Sequence, residues 1–173
     1  MGPVIAVING PPSAGKSSTA AALRVLMDGL VCISGDVLRG FAPAGARAML
    51  GPGSTYRAAG ELTRFYLKAG ASTVVFEYVF ENPTQIAYFK SALNLTIRCE
   101  VITLWASLET LEARDARRDR SARQGVRVAQ GYLTMRPHLP SLGRTIDTDG
   151  VTANEVAARI HRFLQELPPL TRF

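Results

Sequence analysis

The chain is poor in the residues that build metal centres, disulfide frameworks and membrane spans. Its 173 residues include two cysteines, Cys32 and Cys99, and two histidines, His138 and His161. Both cysteines lie in apolar runs without metal-ligand spacing nearby, and each histidine stands alone. Buried free thiols of a reducing compartment are therefore expected rather than a disulfide or a metal site. No apolar run approaches the ~20 residues of a spanning helix. The N-terminus enters an apolar stretch with no basic leader before it. These absences predict a cytoplasmic protein without a membrane partner, and they leave the glycosylation pattern Asn94-Leu95-Thr96 without a secretory route. Lysine is also scarce, with only Lys16, Lys68 and Lys90 among 20 basic residues.

The net charge of +6 is thus an arginine charge, and much of it is bunched. Arg114, Arg117, Arg118, Arg120, Arg123 and Arg127 fall in one short segment, with no aromatic residue between Arg114 and Tyr132. An extended nucleic-acid track would spread its charge and interleave aromatics to stack bases. A compact cluster of guanidinium forks instead suits a small polyanion, which they grip bidentately. Nucleic acid is therefore disfavoured as a partner. With 47% hydrophobic and 20% charged residues, the chain has the balance of a single folded domain over 1–173 with a substantial core.

What is present is a phosphate-binding loop. Gly10-Pro11-Pro12-Ser13-Ala14-Gly15-Lys16-Ser17 matches G-x-x-x-x-G-K-[ST] in full, between the apolar run Val4–Ile8 and an alanine-rich helical stretch. A strand that ends in such a turn aims backbone N–H groups inward, and the following helix adds its positive end to the same hollow. The pattern predicts a nucleoside triphosphate site. Lys16 reaches the terminal phosphates, the Ser17 hydroxyl is the candidate ligand for Mg²⁺, and Ser18 is the less favoured substitute.

Apolar runs recur at Val4–Ile8, Leu30–Ile33, Thr73–Phe76, Cys99–Trp105 and Thr145–Ile146. Helical stretches at Ser17–Leu26, Tyr56–Ala69, Thr84–Leu93, Leu108–Arg118 and Thr152–Leu167 separate or follow them. Continuous rather than alternating apolar strands, interleaved with helices, predict an α/β fold whose five-stranded parallel sheet is covered on both faces. Thr152-Ala153-Asn154-Glu155 reads as a capping box for the last helix, whose apolar stripe is Val156, Ile160, Phe163, Leu164 and Leu167, closed by Pro168-Pro169. The Gly-, Ala- and Pro-rich stretch Gly40–Gly60 is weakly patterned and is expected to be a mobile insertion.

Ligands of open α/β sheets bind at the carboxyl ends of strands, so the residues there are the candidates. Asp36, after the second strand, is placed to take a proton from an attacking hydroxyl; its alternative role is a helix N-cap. Arg39, one turn on, is a candidate for an anionic part of the acceptor. Glu77, after the third strand, is the candidate to orient the water shell of Mg²⁺, with a solvated strand end as the alternative. Glu81 lies four residues on. Tyr78 and Phe80 are packing residues by type and pocket-lining candidates by place. In the arginine segment, Asp115 and Asp119 allow a plain salt-bridged helix face. Arg117, Arg120 and Arg127 are the candidates for phosphate contact on a closing lid. Asp147-Thr148-Asp149-Gly150 spells D-x-x-G after the wrong strand for a GTPase switch, and reads as a loop beside the nucleotide base.

With the loop at residue 10, Asp36 after strand two, the arginine-rich lid and TIDTDGVTANEVAARI near the end, the chain resembles the small P-loop kinases. Its nearest likeness is to the chloramphenicol phosphotransferase-like and zeta-toxin-like ATP-binding proteins, with shikimate and gluconate kinases as cousins. The likeness spans nearly the whole chain. It implies a three-layer P-loop NTPase fold, use of ATP and Mg²⁺, and a small hydroxyl-bearing acceptor of antibiotic, nucleoside or sugar-acid type. It further implies phosphate binding by Gly15, Lys16, Ser17 and Ser18, an acceptor base at Asp36, and lid contact at Arg120 by its place in RRDR. On these grounds the catalytic set is Lys16, Asp36 and Arg120; an acceptor-binding segment covers 37–60 and the lid 114–127. Two other readings are a polynucleotide-end kinase and a nucleotide-binding switch or resistance module without acceptor transfer. Glu77 stands where many relatives have Asp, and the 40–60 stretch follows no family pattern.

Overall fold

A computed structural model describes residues 2–51, 53–93 and 97–168. Five strands, β1 (Val4–Asn9), β2 (Val31–Ser34), β3 (Thr73–Glu77), β4 (Arg98–Trp105) and β5 (Arg144–Asp147), form one sheet in the order β2-β3-β1-β4-β5. Every pairing is parallel. Each crossover therefore runs through helices. These are α1 (Lys16–Leu26), α2 (Gly35–Phe41), α3 (Ala44–Leu50), α4 (Ser54–Lys68), α5 (Pro83–Leu93), α6 (Leu108–Ala116), α7 (Arg127–Met135) and α8 (Ala153–Glu166). The fold is a three-layer α/β sandwich with the architecture of P-loop NTPases.

The six residues of β1 are all buried, because the strand has helices on both sides. Alternation then divides them. Val4, Ala6 and Ile8 join a cluster with Leu23 of α1, Leu111 of α6, and Val156, Ile160 and Leu164 of α8. Ile5 and Val7 join the opposite cluster, with Ala59 and Leu67 of α4 and Ile86, Phe89 and Leu93 of α5. Cys32 packs against the first cluster and Cys99 against the second, so the sheet separates the two free thiols. The capping box on α8 forms as its sequence predicts, with Thr152 Oγ1 accepting from Glu155 N and the Glu155 carboxylate accepting from Thr152 N.

Several expectations are corrected. The weakly patterned 40–60 stretch, where the sequence marks no helix before Tyr56, holds α3 and the start of α4 where it is described. The helix expected to reach Arg118 ends at Ala116, with Arg117 at its C-cap. Beyond the expected elements, a further helix, α7, follows the arginine segment, and the 3₁₀ turn Arg136–Ser141 follows α7. The helix after β2 opens with Ser34 at the N-cap position, so Asp36 lies inside the first turn and is not the cap. Phe80 is fully buried and packs at 4.9 Å on Tyr56 and 5.7 Å on Phe76 rather than facing a pocket. The sequon at 94–96 and Pro169 lie outside the described residues.

All five strand ends meet at one edge, and a buried polar network shapes it. Asn9, fully buried at the end of β1, donates through Nδ2 to Phe80 O (3.1 Å) and Thr103 Oγ1 (3.0 Å). Its Oδ1 accepts from Phe80 N (2.7 Å), and Thr103 Oγ1 donates onward to Leu142 O (2.6 Å). The loop after β3 is thereby held against β1 and β4. Thr63 on α4 is the contrasting case, a buried hydroxyl that finds no partner among the described residues.

We expect Asn9→Ala to lower stability by roughly 2–4 kcal/mol, because it strands both backbone groups of Phe80 in the interior. Thr63→Val, which removes an unpaired hydroxyl at nearly constant volume, should be neutral or stabilising. Urea melts of the two variants beside wild type check both signs.

Candidate active site

The loop Gly10–Ser17 joins β1 to α1 under steric constraint. A Cβ at Gly10, where φ is 148°, would stand 2.5 Å from Leu104 O, so the chain can turn off the sheet here only as glycine. Ser13 follows with φ 65°, the left-handed region, and is buried. Lys16 folds back over the loop and donates to Gly10 O (2.9 Å) and Pro11 O (3.0 Å).

Burial of this ammonium lowers the Lys16 pKa to about 8; the carboxylates of Glu77 and Asp36 oppose the shift, and Arg118 adds to it. Glu77 reaches the loop through sheet register. It pairs with Ile8 on one side and Ser34 on the other, and shares its face of β3 with Val75, which packs toward α1. Ser17 Oγ, at the start of α1, donates to Glu77 Oε2 at 3.2 Å. Burial raises the pKa of Glu77, against hydrogen bonds from Ser34 and Ser17 and the charge on Lys16; Asp36 reinforces the rise.

Two cavities flank the loop. The larger, about 800 Å³, runs from Lys16, Ser17 and Ser18 past Asp36, Arg39 and Tyr78 to Glu81. Its far wall is α7, which contributes Arg127, Gln130, Gly131 and Thr134, spaced i, i+3, i+4 and i+7 on one helix face. That helix is pressed onto the loop. A Cβ on Gly131 would lie 2.6 Å from Pro12 Cδ, and Tyr132 stacks on Trp105 at 4.7 Å. The smaller cavity, about 260 Å³, lies on the other side of Ser13, Gly15 and Ser18 and is walled by Arg114, Thr148, Val151 and Val156. Arg114 donates to Thr148 Oγ1 (3.2 Å) and to Thr148 O (2.6 Å), which fixes its guanidinium along that wall.

The predicted site residues thus divide. Pro12, Ser13, Gly15, Lys16, Ser17, Ser18, Asp36, Arg39, Tyr78 and Arg127 line the larger cavity; Ala14 lines the smaller. Gly10 and Pro11 act through their carbonyls, and Glu77 sits behind the cavity against Ser17. Arg117 and Arg120 are exposed and line neither cavity. Arg118, passed over in the sequence, lines both. Nothing local distinguishes it from its neighbours. The α7 face, by contrast, was detectable from its helical spacing. Thr148 borders the smaller cavity, while Asp147 and Asp149 are engaged elsewhere: Asp147 Oδ1 accepts from Asp149 N (2.9 Å), and the Asp149 carboxylate accepts from Ser107 N (2.9 Å) and Ser107 Oγ (3.1 Å).

Among the described residues no group of three or more His, Cys, Asp or Glu side chains converges to hold a metal, and no helix is long and apolar enough to cross a membrane. The donors beside the loop are all oxygen: the Ser17 hydroxyl, Glu77 and Asp36. Such a set fits Mg²⁺, which keeps several waters and takes one or two carboxylates together with phosphate oxygens.

A family model described as AAA domain matches residues 5–133. No curated protein matches the chain. Among solved structures, the Deinococcus radiodurans tunicamycin resistance protein has a TM-score of 0.70 and 21% identity, covering 98% of this chain and 100% of its own. A sugar kinase from Janibacter sp. HTCC2649 has a TM-score of 0.72 and 15% identity, with 100% of both chains covered. The shikimate kinase from Acinetobacter baumannii, in complex with shikimate, has a TM-score of 0.61 and 18% identity over 97% of each chain. At these identities the likeness is one of fold.

The lowered pKa of Lys16 carries a pH signature. Below pH 8 the ammonium is charged in both folded and unfolded states, and its burial opposes folding in full. Between about 8 and the ordinary lysine value of 10.5, the folded state has released a proton that the unfolded state retains, so stability rises with pH. Thermal melts of wild type and Lys16→Met across pH 7–10 should show the wild type gaining on the variant above pH 8. A gain of about 2 °C or more is expected, the size of a 1 kcal/mol change in a domain of this length. A constant difference would mean that the ammonium is not desolvated.

Proposed function

The chain belongs to the AAA domain family, and from that premise we propose that it is an ATP-dependent phosphotransferase. It moves the γ-phosphate of ATP to a hydroxyl of a small acceptor of antibiotic, nucleoside or sugar-acid type. The observation that carries this reading is the phosphate loop's position between two cavities, with Asp36 in the larger one beside Lys16 and Ser17. A nucleoside held between Arg114, Thr148 and Val151 would extend its phosphates over the loop toward Lys16. The acceptor would then enter from the opposite side, past Arg39 and Tyr78, and present its hydroxyl to Asp36.

The chain's residues would divide the work as follows. Asp36 accepts the proton of the attacking hydroxyl, which makes the oxygen nucleophilic as it approaches phosphorus in line with the leaving diphosphate. Lys16, Arg118 and Arg127 place positive charge around the transferring group; the contact of the desolvated Lys16 is stronger than in water, and the two exposed guanidinium groups add theirs from the rim of the cavity. Ser17 and Glu77 would hold Mg²⁺, directly and through water respectively; the ion supplies charge neutralisation between the terminal phosphates when bound. Segment 37–60 contributes Arg39 to the acceptor side, and the arginine-rich segment 114–127 acts as a lid. Arg120 was the lid contact expected from sequence, but it lies outside both cavities, and we assign the phosphate-facing role to Arg118 and Arg127. A carboxylate placed at an acceptor cavity favours transfer over a nucleotide switch, which has no use for a base.

Incubation with ATP, Mg²⁺ and a panel of hydroxyl compounds, read as phosphorylated product, tests the reading directly. Asp36→Asn should lower acceptor phosphorylation by about 10²–10⁴-fold while ATP affinity stays within a few-fold. Equal turnover in variant and wild type would remove Asp36 from the chemistry.

Arg118→Ala should cost about 10²-fold or more in turnover, as loss of one preorganised charge does. Arg120→Ala should stay close to wild type. A reversal of that order would return the lid contact to Arg120.

A further inference from the structure

Asp115 is one of two buried carboxylates among the described residues, the other being Glu77. It projects from the last turn of α6 and lines neither cavity. Its partners instead come from two separate parts of the site. Oδ1 accepts from Ser13 Oγ of the phosphate loop at 3.0 Å and from Gln124 N at 3.0 Å. Oδ2 accepts from Gln124 N at 3.0 Å and from Gly125 N at 2.9 Å. Arg118 Nε lies 3.8 Å from Oδ1, so the arginine shared by the two cavities pairs with the same group.

Two consequences follow from these distances. The chain from Ala116 to Arg123 leaves Asp115 and returns to it, so the exposed arginines ride on a loop closed at its base by one carboxylate. Ser13 is also the one non-glycine among the described residues with positive φ, a conformation that an L side chain adopts only when held there. The bond to Asp115 fixes its side chain, alongside the turn bond from Ala14 N to Pro11 O at 3.2 Å. An ionised carboxylate is acceptor-only and can meet all of these donors at once. An amide of the same shape would turn an N–H toward donors that already point inward.

We propose that Asp115 is a positioning residue that couples the phosphate loop to the arginine segment, so that the ligand-ready turn at Ser13 and the placement of Arg118 at the rim of both cavities form as one unit. This rests on the reading of the paired cavities as a nucleoside triphosphate site. Asp115 acts on phosphate groups only through Ser13 and Arg118, and its effect is therefore confined to the polyphosphate part of a ligand.

The test uses inorganic tripolyphosphate with Mg²⁺ as the probe, calorimetry for affinity, and limited trypsin cleavage at 117–123 as a second readout. Asp115→Asn should weaken tripolyphosphate binding by about tenfold and open the segment to trypsin in the free protein. Adding Ser13→Gly should restore the share of the affinity that the turn carries, about two- to threefold, because glycine adopts the left-handed turn unaided, while the share carried by Arg118 stays lost and trypsin sensitivity stays high because the base of the segment is still open. A generally weakened fold would not be rescued by a glycine, so failure of Ser13→Gly to restore affinity overturns the coupling. If Asp115→Asn does not fold, Ser13→Ala reads the same link, with weaker tripolyphosphate binding expected and unchanged binding counting against it. Wild type that binds tripolyphosphate and ATP alongside an unaltered Asp115→Asn would overturn this inference alone. Wild type that binds neither would overturn the nucleotide reading and this inference with it.

Discussion

Burial of the Lys16 ammonium against the carbonyls of Gly10 and Pro11 determines how charge is arranged around the loop. Desolvation favours the neutral amine, and the carboxylates of Glu77 and Asp36 oppose it. Glu77 can do so because parallel pairing sets it level with Ile8, one residue short of the end of β1. Its own burial is tolerable because Ser17 and Ser34 hydrogen-bond to it and Lys16 lies nearby. Arg118 adds a like charge to the same hollow. Around Lys16 the two carboxylates outweigh that like charge, so the ammonium is balanced mainly by Glu77 and Asp36.

Two buried polar side chains then convert this local arrangement into a rigid edge. Asn9 ties β1 to the loop after β3 and, through Thr103, to Leu142. It thereby sets the height of Tyr78 and Val79, and Tyr56 reinforces this by donating to Val79 O at 2.8 Å. Asp115 does the equivalent on the other side of the phosphate loop, between Ser13 and the entry to α7. Its pKa is lowered even though burial pushes it up, because hydrogen bonds from Gln124, Gly125 and Ser13 outweigh the desolvation. In both cases one buried group ties together parts of the site that lie far apart in the chain.

The arginine surplus, which gives the chain its charge, is largely distributed over structural tasks. Arg144 lies over the Phe163 ring at 4.4 Å, Arg57 over Tyr88 at 5.1 Å, and Arg98 pairs with Glu100 at 3.6 Å. Arg114 is fastened to Thr148. Planar guanidinium groups suit such stacked and forked contacts better than ammonium does, in keeping with the scarcity of lysine. Arg118 and Arg127 are the arginines of the bunched segment that face the larger cavity.

The sequence by itself determined whatever depends on neighbours along the chain. The phosphate loop is eight consecutive residues between a strand and a helix, and its shape follows from glycine placement and the start of α1. The β1, β3 and β4 runs were legible because a parallel strand buried on both faces must be continuously apolar, and Thr152 with Glu155 announced α8 because a capping box is complete within four residues. Asp36 and Glu77 were visible because a strand's carboxyl end is a local address. Tertiary structure alone decided which arginine faces the cavities. The helix stops at Ala116, so the angular positions of Arg117, Arg118 and Arg120 cannot be extrapolated from it, and the path of the chain is set by a return to Asp115. It likewise decided that Asn9 meets Phe80 and Thr103, that Gly131 meets Pro12, and that Ser34 rather than Asp36 occupies the N-cap position of α2. The physical reason is the same in each case: these contacts join residues tens of positions apart or depend on where a helix stops, and both are settled by packing and sheet register rather than by the periodicity of any one segment.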